Sequence, residues 1–402
     1  MNALLKSLRL RGLLSFSPAS QTVKLGNLNV LIGPNGVGKS NFIEALELLK
    51  ATPTDLSAVI RIGGTPSDWI WRGKSGLGQA GIDAVLGPVG VNAEHLYVLE
   101  FADSGGRLEI TNEALEDWVK TDPAADDVRF YYRFQAGRPV IRVTQNAEDP
   151  ITHRRYLDRF LKRENIDPQQ SVLSQMKDPD TYPEITTTAR RFGGIQIFRE
   201  WGFGRSAALR APQSANLPTD VLLPQLVNLG LVLNNLEHNG ALNRFNSLMR
   251  KFLPRYARLS TKVLAGSVQI YLHEDGLESP VPATRLSDGT LRFLALLAIL
   301  LNAESSPLIC IEEPELGLHP DAMSILAELL VEASEKTQII VTTHSDALVS
   351  AFTEKTDSVL VCDYLENGTE LRRLDAEKLA HWLKDYRLGD LWRTGKLGGN
   401  LW

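Results

Sequence analysis

The segment Gly33-Pro34-Asn35-Gly36-Val37-Gly38-Lys39-Ser40 constrains the fold most, because it spells G-x-x-x-x-G-K-S directly after the apolar run Leu28, Val30, Leu31 and Ile32. The following stretch, Asn41 to Lys50, keeps Phe42, Ile43, Leu46 and Leu49 on one face, so strand, glycine loop and helix come in order. Glycines let successive backbone N–H groups curl around phosphate oxygens, and the helix N-terminus adds its dipole. Lys39 supplies a point charge for the outer phosphates and Ser40 a hydroxyl for Mg2+, while Asn41 extends the candidate nucleotide-binding set. The segment predicts a bound nucleoside triphosphate. A glycine-rich turn before an ordinary helix would not require Gly36, Gly38, Lys39 and Ser40 together.

At 402 residues the chain suffices for one large domain or two to three ordinary ones. Its formal charge of -5 argues against a protein that coats nucleic acid with its whole surface, while leaving room for a local basic patch. Cys310 and Cys362 each lie in an apolar, strand-like run, the setting of small core residues in a reducing cytosol. Met1 to Leu14 carries no small-residue cleavage site, and no uncharged run reaches the ~18 residues of a membrane span. The expectation is a soluble cytoplasmic protein with no membrane partner.

Along the chain, Leu4 to Phe16 reads as a strand bent at Gly12, followed by a short strand near Val23 and the phosphate-loop strand. Between Val59 and Val143, runs at Ala93 to Ala102, Leu108 to Ile110, Val128 to Phe134 and Val140 to Val143 read as antiparallel strands. His153 to Asn165 is charged and helical in period, and Asp167 to Pro183 is a proline-bearing loop, which together suggest a helical insertion. Ile195 to Phe198 and Val268 to Leu272 read as strands, Leu226 to Leu236 and Ala241 to Phe252 as helices. The pattern then becomes regular: helix Leu291 to Leu301, buried strand Leu308 to Ile311, helix Ala322 to Ser334, buried strand Ile339 to Thr342. Short core strands alternating with helices imply a parallel sheet.

The strand Leu308-Ile309-Cys310-Ile311 ends in Glu312-Glu313-Pro314, the form of a Walker B strand. Its first carboxylate suits the metal side and its second a general base for a water, so Glu312 and Glu313 take those roles. His344, ending the next strand in Thr342-Thr343-His344-Ser345, can reach a γ phosphate or the attacking water, whereas His319 shapes a turn before Pro320. Upstream, Ser287, Asp288, Gly289 and Thr290 open the apolar helix; alone they form an ordinary cap, yet one whose amides favour an anion.

The order of phosphate loop, L-S-x-G-T, strand with paired glutamates, E-L-G-L-H-P and T-T-H-S resembles the ATP-binding-cassette class of ATPases. The run Glu312 to Pro320, E-E-P-E-x-x-L-H-P, is similar to that of the soluble branch with SMC-like, RecF-like and overcoming-lysogenization-defect-like ATPases. The ending Leu388-Gly389-Asp390-Leu391-Trp392-Arg393 to Trp402 resembles that of a group of bacterial predicted ATPases of this size. The resemblance covers about Leu4 to Val361. It implies an α/β P-loop NTPase with an ABC-type head, an antiparallel β subdomain plus a RecA-like parallel sheet, and a helical insertion. The expected segments are ATPase lobe I at 1–150, the insertion at 151–194, and lobe II at 195–402.

The resemblance further implies ATP hydrolysis with Mg2+ at composite sites. Two heads meet head to tail, so Ser287, Asp288, Gly289 and Thr290 would cap ATP held by Lys39 and Ser40 of a second copy, giving a homodimer with two ATPs. Glu312 stands where many members have Asp, as in the overcoming-lysogenization-defect-like proteins. Gln79 is only a weak candidate for the glutamine loop. A TOPRIM nuclease domain is not expected after Ser345, so the effector, such as a nuclease, would be a separate protein in a DNA-processing or anti-phage defence complex. A RecF-like DNA-repair clamp is the alternative, and an ABC transporter's nucleotide-binding subunit a more distant one.

For direct DNA contact the candidates are Arg244, Arg250, Lys251, Arg255, Arg258 and Lys262, interleaved with Phe245, Phe252 and Tyr256 and with no acid between them. Arg154, Arg155, Arg159, Lys162 and Arg163 form a second, diluted cluster; a solvated face explains either one. Trp69, Trp71, Trp201, Trp392 and Trp402 are assigned to packing.

Overall fold

Strand pairing in the first half gives one antiparallel sheet, ordered Val23–Lys24, Leu5–Arg11, Gln79–Leu86, His95–Asp103, Leu108–Asp117, Phe130–Gln135, Arg138–Gln145 and Arg155–Phe160. The computed structural model describes residues 3–74, 76–88, 93–120, 128–135, 138–145, 155–236, 238, 240–366 and 368–398. These fall into two compact units. One comprises Met1–Gln196, Leu360–Leu374 and Gly398–Trp402, the other Ile197–Val359 and Asp375–Leu397.

In the first unit, alternation along His95–Asp103 buries Tyr97, Leu99 and Phe101 on one face, as a half-covered antiparallel sheet requires. Beside this sheet lies the fully buried strand Leu28–Ile32, flanked by the hairpin Val359–Leu365 and Gly368–Arg373. The helix Lys39–Ala51 follows the glycine loop and buries Phe42, Ile43, Leu46 and Leu49. Each such side chain contributes roughly 1.5–3 kcal/mol. The start of the region expected as strands is instead helical, at Leu56–Ile62, where Asp55 accepts from the Ala58 amide as cap.

The expected helix at His153 to Asn165 is corrected. Residues Arg155–Phe160 form the sheet's last strand, pairing with Arg138–Gln145, and Asp158 takes the Arg142 guanidinium at 2.7 Å. On this edge strand Leu157 and Phe160 are both exposed, so no face is hidden and the charges mimic a helical period. Tertiary pairing overrides the local signal. The helices of this stretch come later, at Val172–Gln175 and Pro183–Gly193, and the latter packs against the phosphate-loop helix.

In the second unit, Leu308–Glu312 pairs in parallel with Gln338–Thr343, matching Glu312 to Thr342. Helix Asp288–Leu301 buries every residue from Leu291 to Leu301, and Met323–Ser334 buries most of its own. A small antiparallel sheet joins Gln213–Ser214, Ser267–Glu274 and Tyr256–Leu264, the last a strand that the sequence pattern does not disclose. The tail helix Leu388–Arg393 packs on Asp346–Ala351; a Cβ at Gly389 would run into the Asp346 carbonyl. Among the described residues no helix is long and apolar enough to cross a membrane.

Candidate nucleotide site

The phosphate loop is shaped by its own unit. Gly33, Gly36 and Gly38 all hold positive φ, at 151°, 81° and 105°. A Cβ at Gly38 would strike Thr369 Oγ1 and Ser15 Oγ, and one at Gly33 the Cys362 carbonyl. From the hairpin, Thr369 Oγ1 donates to the Val37 carbonyl at 2.7 Å. Burial pushes the Cys362 thiol up to about 12, which makes it a packing group and not a nucleophile.

Lys39 is buried and its Nζ donates to the Gly33 and Pro34 carbonyls, both at 2.8 Å, so the ammonium lies folded over the loop. The helix behind it starts at Gly38 without a side-chain cap, and its dipole at that end favours an anion. Pro34 is half-buried, Val37 buried, and Asn35 and Ser40 exposed. Required glycines, a retained ammonium and an uncapped helix start fit a triphosphate. Next to the loop, a recess of about 890 Å³ is lined by Ser15, Asn41, Trp71, Arg72 and Tyr364 among others. Trp71 Nε1 is buried there with no hydrogen-bond partner among the described residues.

The acids form a second constellation, in the other unit. Glu313 has φ of 47°, outside the usual range of a non-glycine residue, and its amide donates to the Thr342 carbonyl at 3.0 Å. Such a conformation costs of order 1–3 kcal/mol and turns the side chain off the strand's alternation. His344 Nε2 lies 3.2 Å from Glu313 Oε1. Glu315 Oε1 accepts from Thr343 Oγ1 at 2.6 Å and from the His344 amide at 2.9 Å, and so fixes the histidine's backbone. Desolvation pushes the Glu315 carboxyl up, and its Oε2 is buried without a hydrogen-bond partner among the described residues. Glu312, one residue back, meets Arg199 Nε at 3.0 Å. Among the described residues no three His, Cys, Asp or Glu side chains gather as a metal cage.

Ser287 caps the helix Asp288–Leu301, its Oγ accepting from the Thr290 amide at 3.1 Å. A Cβ at Gly289 would lie 2.7 Å from the Gly317 carbonyl, so this glycine permits close approach of the turn that follows the acids. Arg210 holds the segment from behind through the Leu286 carbonyl at 2.7 Å and the Asp288 carboxylate. His319 shapes its turn as expected, accepting from the Asp321 amide.

A family model described as "AAA domain, putative AbiEii toxin, Type IV TA system" matches residues 28–350, which take in the loop, Ser287, the acids and His344. The chain belongs to this family. It is 30% identical over 187 residues to the Old nuclease of Escherichia phage P2, a match covering 39% of this chain and 31% of that protein. The chain thus spans about a third of the length of the curated relative it matches. The Smc head bound to the C-winged helix domain of ScpA is similar in fold, with a TM-score of 0.57 at 16% identity over 93% of this chain and 99% of that one. So is the Smc head domain with an extended coiled coil from Pyrococcus furiosus, bound to the C-terminal domain of ScpA, with a TM-score of 0.51 at 14% identity over 96% and 99%. The mixed α/β head of this AAA-domain family member is thus similar in fold to the Smc heads, as expected.

The basic cluster looks different in three dimensions. Arg244 Nη2 lies 2.7 Å from both Glu328 and Glu332, Lys251 Nζ 3.0 Å from Glu328, and Arg255 3.2 Å from Glu274. The acids missing from the local sequence arrive from helix Met323–Ser334 and strand Ser267–Glu274. Arg250, Arg258 and Lys262 are the exposed remainder, the first on a helix and the others on a strand. In the second cluster Arg154 lies outside the described residues, as does Trp402. Gln79 opens a strand of the large sheet and is exposed. Sequence reasoning missed Arg199, Glu315 and Thr369 as parts of the site; only Glu315, inside a recognised motif, carried a local signal.

Proposed function

We propose that this protein hydrolyses ATP to ADP and phosphate at composite sites of a head-to-tail homodimer, and that the cycle governs a separate effector, such as a nuclease, in a DNA-processing or defence complex. The observation that carries this reading is the strained Glu313 paired with His344 at the end of the acid strand. Glu313 accepts a proton from the attacking water, and His344 orients that carboxylate. Lys39 and the loop amides hold the phosphates; Asn41, Trp71 and Tyr364 border the recess for the nucleoside. Ser40 and Glu312 are the residues that would hold Mg2+, which would supply positive charge for the transferred phosphoryl group. Ser287 to Thr290 serve the nucleotide of the second copy.

Three features support the wider reading. The phage relative is named a nuclease, the matched family carries a toxin and antitoxin description, and the similar heads come from Smc proteins. A cytoplasmic location suits such a role. Direct DNA contact through Arg250, Arg258 and Lys262 is the secondary reading, weakened by the ion pairs of Arg244, Lys251 and Arg255. The deciding experiment is light scattering of Glu313→Gln with and without ATP: a trapped dimer is expected, and a monomer under saturating ATP would sink the composite site. Co-purification would then identify the effector.

A further inference from the structure

Three carboxylates, Glu312, Glu313 and Glu315, crowd four consecutive positions, and each is held in a different way. Glu313 faces His344 at 3.2 Å, and Glu315 is held by Thr343 and the His344 amide. Glu312 Oε2 meets the Nε of Arg199, a residue 113 positions earlier, at 3.0 Å. The two side chains are only 23% and 17% exposed, so solvent screens their attraction less than it would a surface pair. The strap that carries Arg199 also grips the main chain. Trp201 Nε1 donates to the Glu312 carbonyl at 3.0 Å and stacks on Phe203, ring centroids 5.7 Å apart. The Arg292 guanidinium sits over both rings, at 5.1 and 4.9 Å, and donates to the Glu313 carbonyl at 3.1 Å. The backbone of both acids is thereby fixed from one side, while the Glu312 carboxylate is held by a flexible side chain.

We propose that Arg199 is the resident counter-charge of Glu312, holding that carboxylate before a divalent cation does, so that metal loading must displace the guanidinium. The inference rests on the reading of Glu312 as the metal-side acid. A guanidinium stays charged at any working pH, so the exchange proceeds by movement of the side chain and not by loss of a proton. Because cation and guanidinium compete for one carboxylate, whatever stabilises the Arg199 contact weakens metal binding by the same factor. Arg199 is thus a positioning residue that sets the cation concentration at which the site becomes competent.

The test is a Mn2+ titration by electron paramagnetic resonance of the full chain saturated with a non-hydrolysable ATP analogue. Arg199→Gln is expected to bind Mn2+ about 3- to 10-fold more tightly than the parent, and the gain should vanish when Glu312→Gln is also present. Equal or weaker Mn2+ binding by Arg199→Gln, or a gain that persists without the Glu312 carboxylate, overturns the proposal. Should Arg199→Gln fail to fold, the parent protein decides: its Arg199 Nε–H resonance, assigned with Arg199→Lys, must shift when Mg2+ joins the bound analogue, and an unmoved resonance refutes the exchange. If the parent binds no analogue at all, the nucleotide reading falls and the exchange with it; if it binds Mn2+ and analogue normally while Arg199→Gln behaves identically, only the exchange falls.

Discussion

His344 Nε2 and Glu313 Oε1 stand 3.2 Å apart, although the two residues are 31 positions apart in the chain, with a whole helix between them. A carboxylate positioned this way keeps one oxygen for its partner and the other for a water. Replacing His344 with Ala should therefore lower the hydrolysis rate about 10²–10⁴-fold while leaving nucleotide affinity within a few-fold, because the histidine acts on orientation and not on the phosphate loop. Steady-state phosphate release together with fluorescent-nucleotide titration separates the two; a parallel loss of affinity would contradict this division of roles.

Lys39→Ala removes an ammonium that the loop carbonyls hold ready over the phosphate cradle. Nucleotide binding should weaken by about two orders of magnitude, as expected for losing a charge-assisted contact. Calorimetry showing undiminished ATP affinity would disprove the loop assignment.

Ser287→Arg and Lys39→Ala are each expected to abolish hydrolysis in a homodimer. Mixed together, they should restore up to one working site per heterodimer, since one protomer retains its loop and the other its signature. No recovery over a range of mixing ratios would argue against capping from a second copy.

Glu315 gives a pH signature of stability. Burial raises its folded value above that of the unfolded chain, so the folded state binds the proton more tightly. That contribution is fully present below the unfolded carboxylate range and is lost as pH rises through the raised folded value. Glu315→Gln, which cannot ionise, should escape the loss: its melting temperature relative to the parent should rise by about 1–3 °C from about pH 5 to about pH 8. A difference independent of pH would mean that the carboxyl is already charged in the folded protein.

Much of this molecule is legible in the sequence because its motifs are local. A phosphate loop, a capped helix and a strand ending in acids are each fixed by fewer than about ten neighbouring residues, through backbone freedom at glycine and the periods of strand and helix. That is why Gly33 to Ser40, Ser287, Glu312, Glu313 and His344 stand out as candidates from residue order alone. The strand Arg155–Phe160 could not, because an edge strand with both faces exposed has no period to read. Nor could the fate of Arg244 and Lys251, whose acids lie about eighty residues away on another helix. The sequence by itself determined that a G-x-x-x-x-G-K-S loop, an L-S-x-G-T segment and paired acids follow one another along one chain. Only the tertiary structure decided which charges meet, giving His344 to Glu313 and Arg199 to Glu312, because electrostatic partnership depends on distance in space and not on distance along the chain.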